Sequence, residues 1–245
     1  MTNKAKVSRE NILLHEESFS YLFFKGSSKH NPIIFFHATG LNAATYLNLL
    51  TKIYDNFDGE RSIYAFDQRG HGLSLAEADH TKLKSWKQFS KEAISFLNSL
   101  DHESVDLMGH SMGGIVASEV ASQLKLKVQN LIMLEPVLYY APKDVIKLKL
   151  KNFLKFDDLS ASNKSSSAKQ RRNNFASFEE AIEHFTGRAM FASWPEESIM
   201  NYLEGGLVKK EESFFLKRYP IRNLILILEF DFFQKDCEIF SINQF

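Results

Sequence analysis

Residues 105–120 read VDLMGHSMGGIVASEV, and within them Gly109-His110-Ser111-Met112-Gly113 places a serine between two glycines where an apolar run gives way to a helical one. A serine raised on a sharp strand-to-helix turn exposes its hydroxyl, and side chains at the flanking positions would strike neighbouring backbone. Glycine there is a steric demand. The helix that follows also aims its positive N-terminal end at the serine and favours negative charge beside it. Ser111 is therefore a candidate nucleophile. The alternative is a plain glycine-rich turn.

Such a serine needs a base, an orienting carboxylate and donors for the oxyanion. Phe36-His37-Ala38-Thr39-Gly40 ends one apolar run, and DQRGHGLS, 67–74, ends the next. In the latter, the glycines fit a tight turn, Asp67 and Arg69 are expected to pair locally, and direct catalysis by His71 is not favoured. His110 adjoins the serine, but its side chain should point away from it, towards packing or substrate. The histidines show no metal-ligand spacing, and no glycine-rich phosphate loop occurs, so neither a metal nor another cofactor is expected.

The elements that must hold these residues alternate. Apolar runs at 20–26, 31–38, 61–68, 105–111 and 128–137 read as strands, and helical spacing marks 45–57, 85–100 and 114–124. Such alternation predicts an α/β fold, a mostly parallel sheet flanked by helices. After about Tyr140 the pattern changes. A basic helix at 144–156, a serine-rich basic loop at 160–174 and helices at 175–185 and 196–206 predict a helical cap, the last helix stopped by Gly205-Gly206. Strand character is expected to return only at 223–230. The expected division is a core of 1–139 and 218–245 with a cap insertion of 140–217.

The three motifs, in this order at successive strand ends, resemble the α/β-hydrolase family from about Asn31 to Pro136. That resemblance implies an oxyanion hole formed by the N–H of Met112 and that of Thr39. Ala38 stands where the family usually has glycine, so Ala38 is the competing donor. It implies chain order serine, acid, histidine. Asp231, in NLILILEFD, and Glu135, in LIMLEPV, are the two candidate acids. No histidine follows Asp231; the last is His184, on a cap helix, where a packing role is expected. The expectation is thus either a hydrolase whose C-terminus is truncated or out of frame, or a relative that binds without catalysis. The resemblance further implies a small acyl substrate, a carboxylic ester or similar. His37, His110, Phe185, Phe191 and Trp194 are the candidates to line its pocket, with loop orientation the alternative for His37 and cap packing for the aromatics.

Composition narrows the setting. Thirty basic residues balance thirty acidic ones, so no field points to nucleic acid. Hydrophobic residues make up 44% of the 245, enough for one sizeable core. The single cysteine, Cys237, suits a reducing compartment, no apolar signal segment opens the chain, and no stretch is long enough for a membrane span. A cytoplasmic protein is expected. A sheet lacking its last strand would leave an apolar edge, which predicts poor solubility or a homodimer that covers it.

Overall fold

The computed structural model describes residues 7–27, 29–79, 86–136, 172–210 and 213–216. A six-stranded sheet runs in the order β1-β2-β4-β3-β5-β6, from β1 (Val7–Leu14), β2 (Glu17–Phe24), β3 (Ile33–Phe36), β4 (Ile63–Phe66), β5 (Ser104–His110) and β6 (Lys127–Leu134). β4, β3, β5 and β6 are parallel, whereas β1 and β2 form an antiparallel hairpin that joins through β2 to β4. The fold is α/β and the sheet mostly parallel, as expected.

The hairpin strand β1 was not legible as a strand, because VSRENILL is largely polar. It forms because His15 and Glu16, at φ 50° and 67°, make a two-residue turn whose twist suits an antiparallel pair.

IIFF in β3 and IYAF in β4 are buried at every residue. Their continuous apolarity reflects cover on both sheet faces. Ile34, Phe36 and Phe66 pack on one side against α2 (Lys87–Asn98) and α3 (Met112–Gln123), through Phe89, Ala93, Phe96, Ile115, Val116 and Val120. Ile33, Phe35, Ile63 and Ala65 face the other way, onto Leu50 and Tyr54 of α1 (Leu47–Asn56). In α2 the buried residues Phe89, Ala93, Phe96 and Leu97 fall at helical spacing, so one stripe carries the packing. Truncating a fully buried ring such as Phe96 to alanine costs about 3–5 kcal/mol.

The segment after residue 171 contains α4 (Phe178–Phe185), a 3₁₀ turn (Ala189–Phe191) and α5 (Glu196–Glu204). The Ser177 hydroxyl caps α4 by accepting from the Glu180 N–H at 3.1 Å, and α5 ends at Gly205. The expectation of no strand before 223–230 is corrected here. β7 (Asn174–Phe175), β8 (Leu207–Lys210) and β9 (Ser213–Leu216) form a small antiparallel sheet in the order β7-β9-β8. Strands this short, stabilised by pairing across the segment, leave little local periodicity.

A third apolar cluster joins this segment to the sheet. Phe175, Ala181, Phe185, Phe191, Ile199, Tyr202 and Leu203 enclose Ala38 and Leu41 from the loop after β3. The expected basic helix at 144–156, the strand at 223–230 and Asp231 lie outside the described residues. Among the described residues, β6 is the last strand at its edge of the sheet, and no helix is long and apolar enough to cross a membrane.

Candidate active site

The corner between β5 and α3 has the strain that the sequence implies. Ser111 lies at φ 52°, ψ −114°, outside the regions open to ordinary L-residues, and precedes the first turn of α3. Its own N–H donates to the Leu134 carbonyl at 2.9 Å, which fastens the corner to the end of β6. Both flanking glycines are sterically compelled. A Cβ on Gly109 would collide with the Gly113 carbonyl, and one on Gly113 would collide with that of Phe36 and stand 2.8 Å from the His37 oxygen. This close approach draws the first turn of α3 against the end of β3. Ser111 is half-buried there.

The loop after β3 is held on the same corner. The Thr39 hydroxyl donates to Met112 Sδ at 3.0 Å, so the two residues expected to supply oxyanion donors are in contact through their side chains. The Ala38 N–H, the competing donor, is already engaged: it donates to the Tyr46 hydroxyl at 3.1 Å. Among the described residues, no acceptor engages the backbone N–H of Thr39 or of Met112. An N–H at the first position of a helix has no partner within the helix, so Met112 presents a donor.

Two buried imidazoles shape this loop. His37 is fully buried, with Nδ1 2.9 Å from the Ala38 carbonyl and Nε2 accepting from the Gln68 N–H at 3.0 Å. His71, equally buried, accepts from the Gly40 N–H at Nε2 (3.0 Å) and places Nδ1 2.8 Å from the Arg69 carbonyl. In each ring, therefore, the proton resides on Nδ1. Burial lowers His37 to about 4 and His71 to about 3, the latter helped by the neighbouring His37 ring 5.0 Å away. Both are neutral spacers. Both nitrogens of His37 are engaged by the protein.

Asp67 ties the loops together from beneath. Its buried carboxylate accepts from the N–H groups of Ala43 (2.8 Å) and Leu73 (3.1 Å) and from the Arg9 guanidinium (2.7 Å). A Cβ on Gly72 would overlap this carboxylate. The expected local pairing of Asp67 with Arg69 is corrected: Asp67 pairs with Arg9 of β1, while Arg69 pairs with Glu17 and Glu92. All three partners come from distant elements, so spacing within DQRGHGLS could not show them.

His110 departs from the corner toward the loop. Its Nδ1 is 2.7 Å from the Tyr46 hydroxyl. Burial lowers its basicity, and Glu135 opposes that shift. Glu135 is exposed just beyond β6, at φ 44°.

Phe185 and Phe191 are each 6% exposed and pack ring to ring at 4.9 Å; half-buried Trp194 lies 4.8 Å from Phe191. All three belong to the cluster over Ala38 and Leu41. His184 packs between Phe175 and Phe185 on α4. Among the described residues, no side chain is hydrogen-bonded to the Ser111 hydroxyl. The structure thus unites Ser111, Met112, Thr39, His37 and His110, with Glu135 at the adjacent strand end. Asp231 lies outside the described residues.

Tyr46 was missed by the sequence reading, although its place in TYLNLL, nine residues past His37, is the kind of position from which a short turn folds back on the loop. Asn42 was missed too. It caps the 3₁₀ turn Ala43–Tyr46, and its amide donates to the Tyr202 carbonyl at 2.8 Å, locking α5 onto the loop.

Comparison with known proteins agrees with this geometry. Protein phosphatase methylesterase 1 of Candida albicans is 31% identical over 138 residues, which are 56% of this chain and 37% of the relative. An abhydrolase domain-containing protein of Schizosaccharomyces pombe is 25% identical over 58% of the chain and 42% of its own length. The chain spans less than half the length of these curated relatives. Among solved structures, the thioesterase domain from the curacin biosynthetic pathway superposes with a TM-score of 0.65 at 18% identity, covering 88% of this chain and 73% of that one. An E-2-(acetamidomethylene)succinate hydrolase gives 0.62 at 17% identity, covering 87% and 69%. These two show the fold. Residues 28–194 match the family described as Serine aminopeptidase, S33, and because that match takes in most of the chain, corner, loop and α4 included, the protein belongs to this family of α/β hydrolases.

Proposed function

We propose that this hydrolase cleaves a carboxylic ester or related acyl substrate through an acyl-enzyme on Ser111. The observation that supports this most is the strained serine between two glycines that admit no Cβ, with the Thr39 loop fastened to the next residue. The Ser111 oxygen attacks the carbonyl carbon and gives its proton to a base. The carbonyl π pair moves to oxygen, where the Thr39 and Met112 N–H groups receive the charge. Two such donors in a shielded site contribute several kcal/mol to lowering the barrier. Collapse expels the alcohol, which takes the proton from the base, and water then attacks the acyl-enzyme, giving a proton through the same base to the Ser111 oxygen as the acid is released.

Glu135 and Asp231 are the carboxyls proposed to orient the base; the base itself is not assigned to a residue of this chain. In the same reading residues 172–210 and 213–216 belong to a cap, and Phe185, Phe191 and Trp194 form the wall that faces the acyl group. The relatives' names speak of methylester and thioester cleavage, which fits an acyl substrate.

The test is hydrolysis of short-chain p-nitrophenyl esters by the wild type and by Ser111→Ala. The expected result is turnover that falls by a factor on the order of 10³ or more in the variant. Equal rates in the two proteins would refute the reading.

A further inference from the structure

One hydroxyl joins the two segments on which the proposed oxyanion donors are carried. The Tyr46 oxygen accepts the N–H of Ala38, the residue before Thr39, and lies 2.7 Å from Nδ1 of His110, the residue before Ser111. The ring is held by Phe35 at 4.6 Å and stands edge-on to the His110 ring. Tyr46 also packs against both the α1-side cluster and the cluster beneath α4 and α5. The hydroxyl is therefore placed by its ring rather than by solvent.

The protons can be followed. The Tyr46 oxygen receives a hydrogen from Ala38, so its own hydrogen is free to go to Nδ1 of His110, and that ring then carries its proton on Nε2. Burial holds the phenol in its protonated form well past the usual tyrosine range. With the Tyr46 hydrogen directed to Nδ1 of His110, the chain runs in one direction, from Ala38 N–H to Tyr46 O–H to His110 Nδ1.

We propose that Tyr46 is a positioning residue that sets the distance between the Thr39 loop and the Ser111 corner, and that it withdraws the Ala38 N–H from the oxyanion so that Thr39 serves instead. This rests on the serine-hydrolase reading. It adds a role for a residue that touches neither substrate nor reacting atoms.

The experiment compares Tyr46→Phe with the wild type in the kinetics of Ser111 phosphonylation by an ethoxy fluorophosphonate. Phosphonylation, like acyl transfer, places developing negative charge on an oxygen that faces the two donors. Phe keeps the ring and loses only the hydroxyl. The expected result is a kinact lowered about threefold to tenfold, with KI close to wild type. A purely packing role would leave kinact unchanged, and that outcome overturns the proposal. Wild type that is not labelled at Ser111 overturns the hydrolase reading, and the role of Tyr46 falls with it, so the two failures are distinct. Should the variant not fold, nitrogen-15 NMR of the wild-type His110 ring decides: an unprotonated Nδ1 supports the chain, and a protonated Nδ1 in the neutral ring overturns it.

Discussion

The Cβ that Gly113 lacks would fall on the carbonyl oxygen of Phe36. The first turn of α3 and the end of β3 are consequently in backbone contact, and the loop carrying Thr39 begins at that contact. The next glycine is different: a Cβ on Gly114 would lie 3.3 Å from the Gly109 oxygen and 3.3 Å from Pro136 Cβ, a tight but workable fit.

The two glycines therefore separate under the same substitution. Gly113→Ala must force the strand and helix apart, and a loss of about 3 kcal/mol or more in unfolding free energy is expected. Gly114→Ala loses little, since alanine also gains up to about 1 kcal/mol in helix propensity. Urea denaturation of both variants checks this; equal midpoints would contradict the close approach.

Ser111 itself stores strain, because φ 52° with ψ −114° is a conformation suited to glycine. Replacing the serine by alanine retains the Cβ and the strain, whereas Ser111→Gly removes both. Ser111→Gly is expected to exceed Ser111→Ala in unfolding free energy by about 1 kcal/mol, after allowance for the added freedom of glycine in the unfolded chain. A glycine variant less stable than the alanine one would show that the corner is relaxed.

The buried imidazoles make the loop sensitive to acid. His37 and His71 have folded values lowered from 6.5 to about 4 and about 3, because burial opposes their charged forms. A histidine lowered in the folded state binds its proton first in the unfolded chain. The stability it contributes is complete above pH 6.5 and is lost as pH falls toward the folded value. Side-chain NMR should find both rings neutral at pH 5, with stability declining between pH 6.5 and 4. An ordinary midpoint near 6.5 for either ring would contradict the assignment.

Much of this was legible in the sequence for a physical reason. Gly109 is required by the turn itself, where its Cβ would meet the Gly113 carbonyl, and the apolar runs IIFF and IYAF record burial on both faces. The hairpin strand β1 was not legible, because its partner rather than its composition makes it a strand. Arg9 meets Asp67 across 58 residues, and Asn42 meets Tyr202 across 160. Contacts of that reach leave no periodic trace. Tyr46 belongs with them, since its hydroxyl meets a loop and a strand end that only the fold brings together.

Activation of Ser111 as a nucleophile is read by treating the protein with a fluorophosphonate probe, followed by mass spectrometry of the peptide that spans residues 105–120. A phosphonyl adduct is expected on Ser111, absent from Ser111→Ala and from heat-unfolded protein. A folded wild type that acquires no adduct at Ser111, or that is labelled equally when Ser111 is replaced, would leave a protein that keeps the corner but not the chemistry.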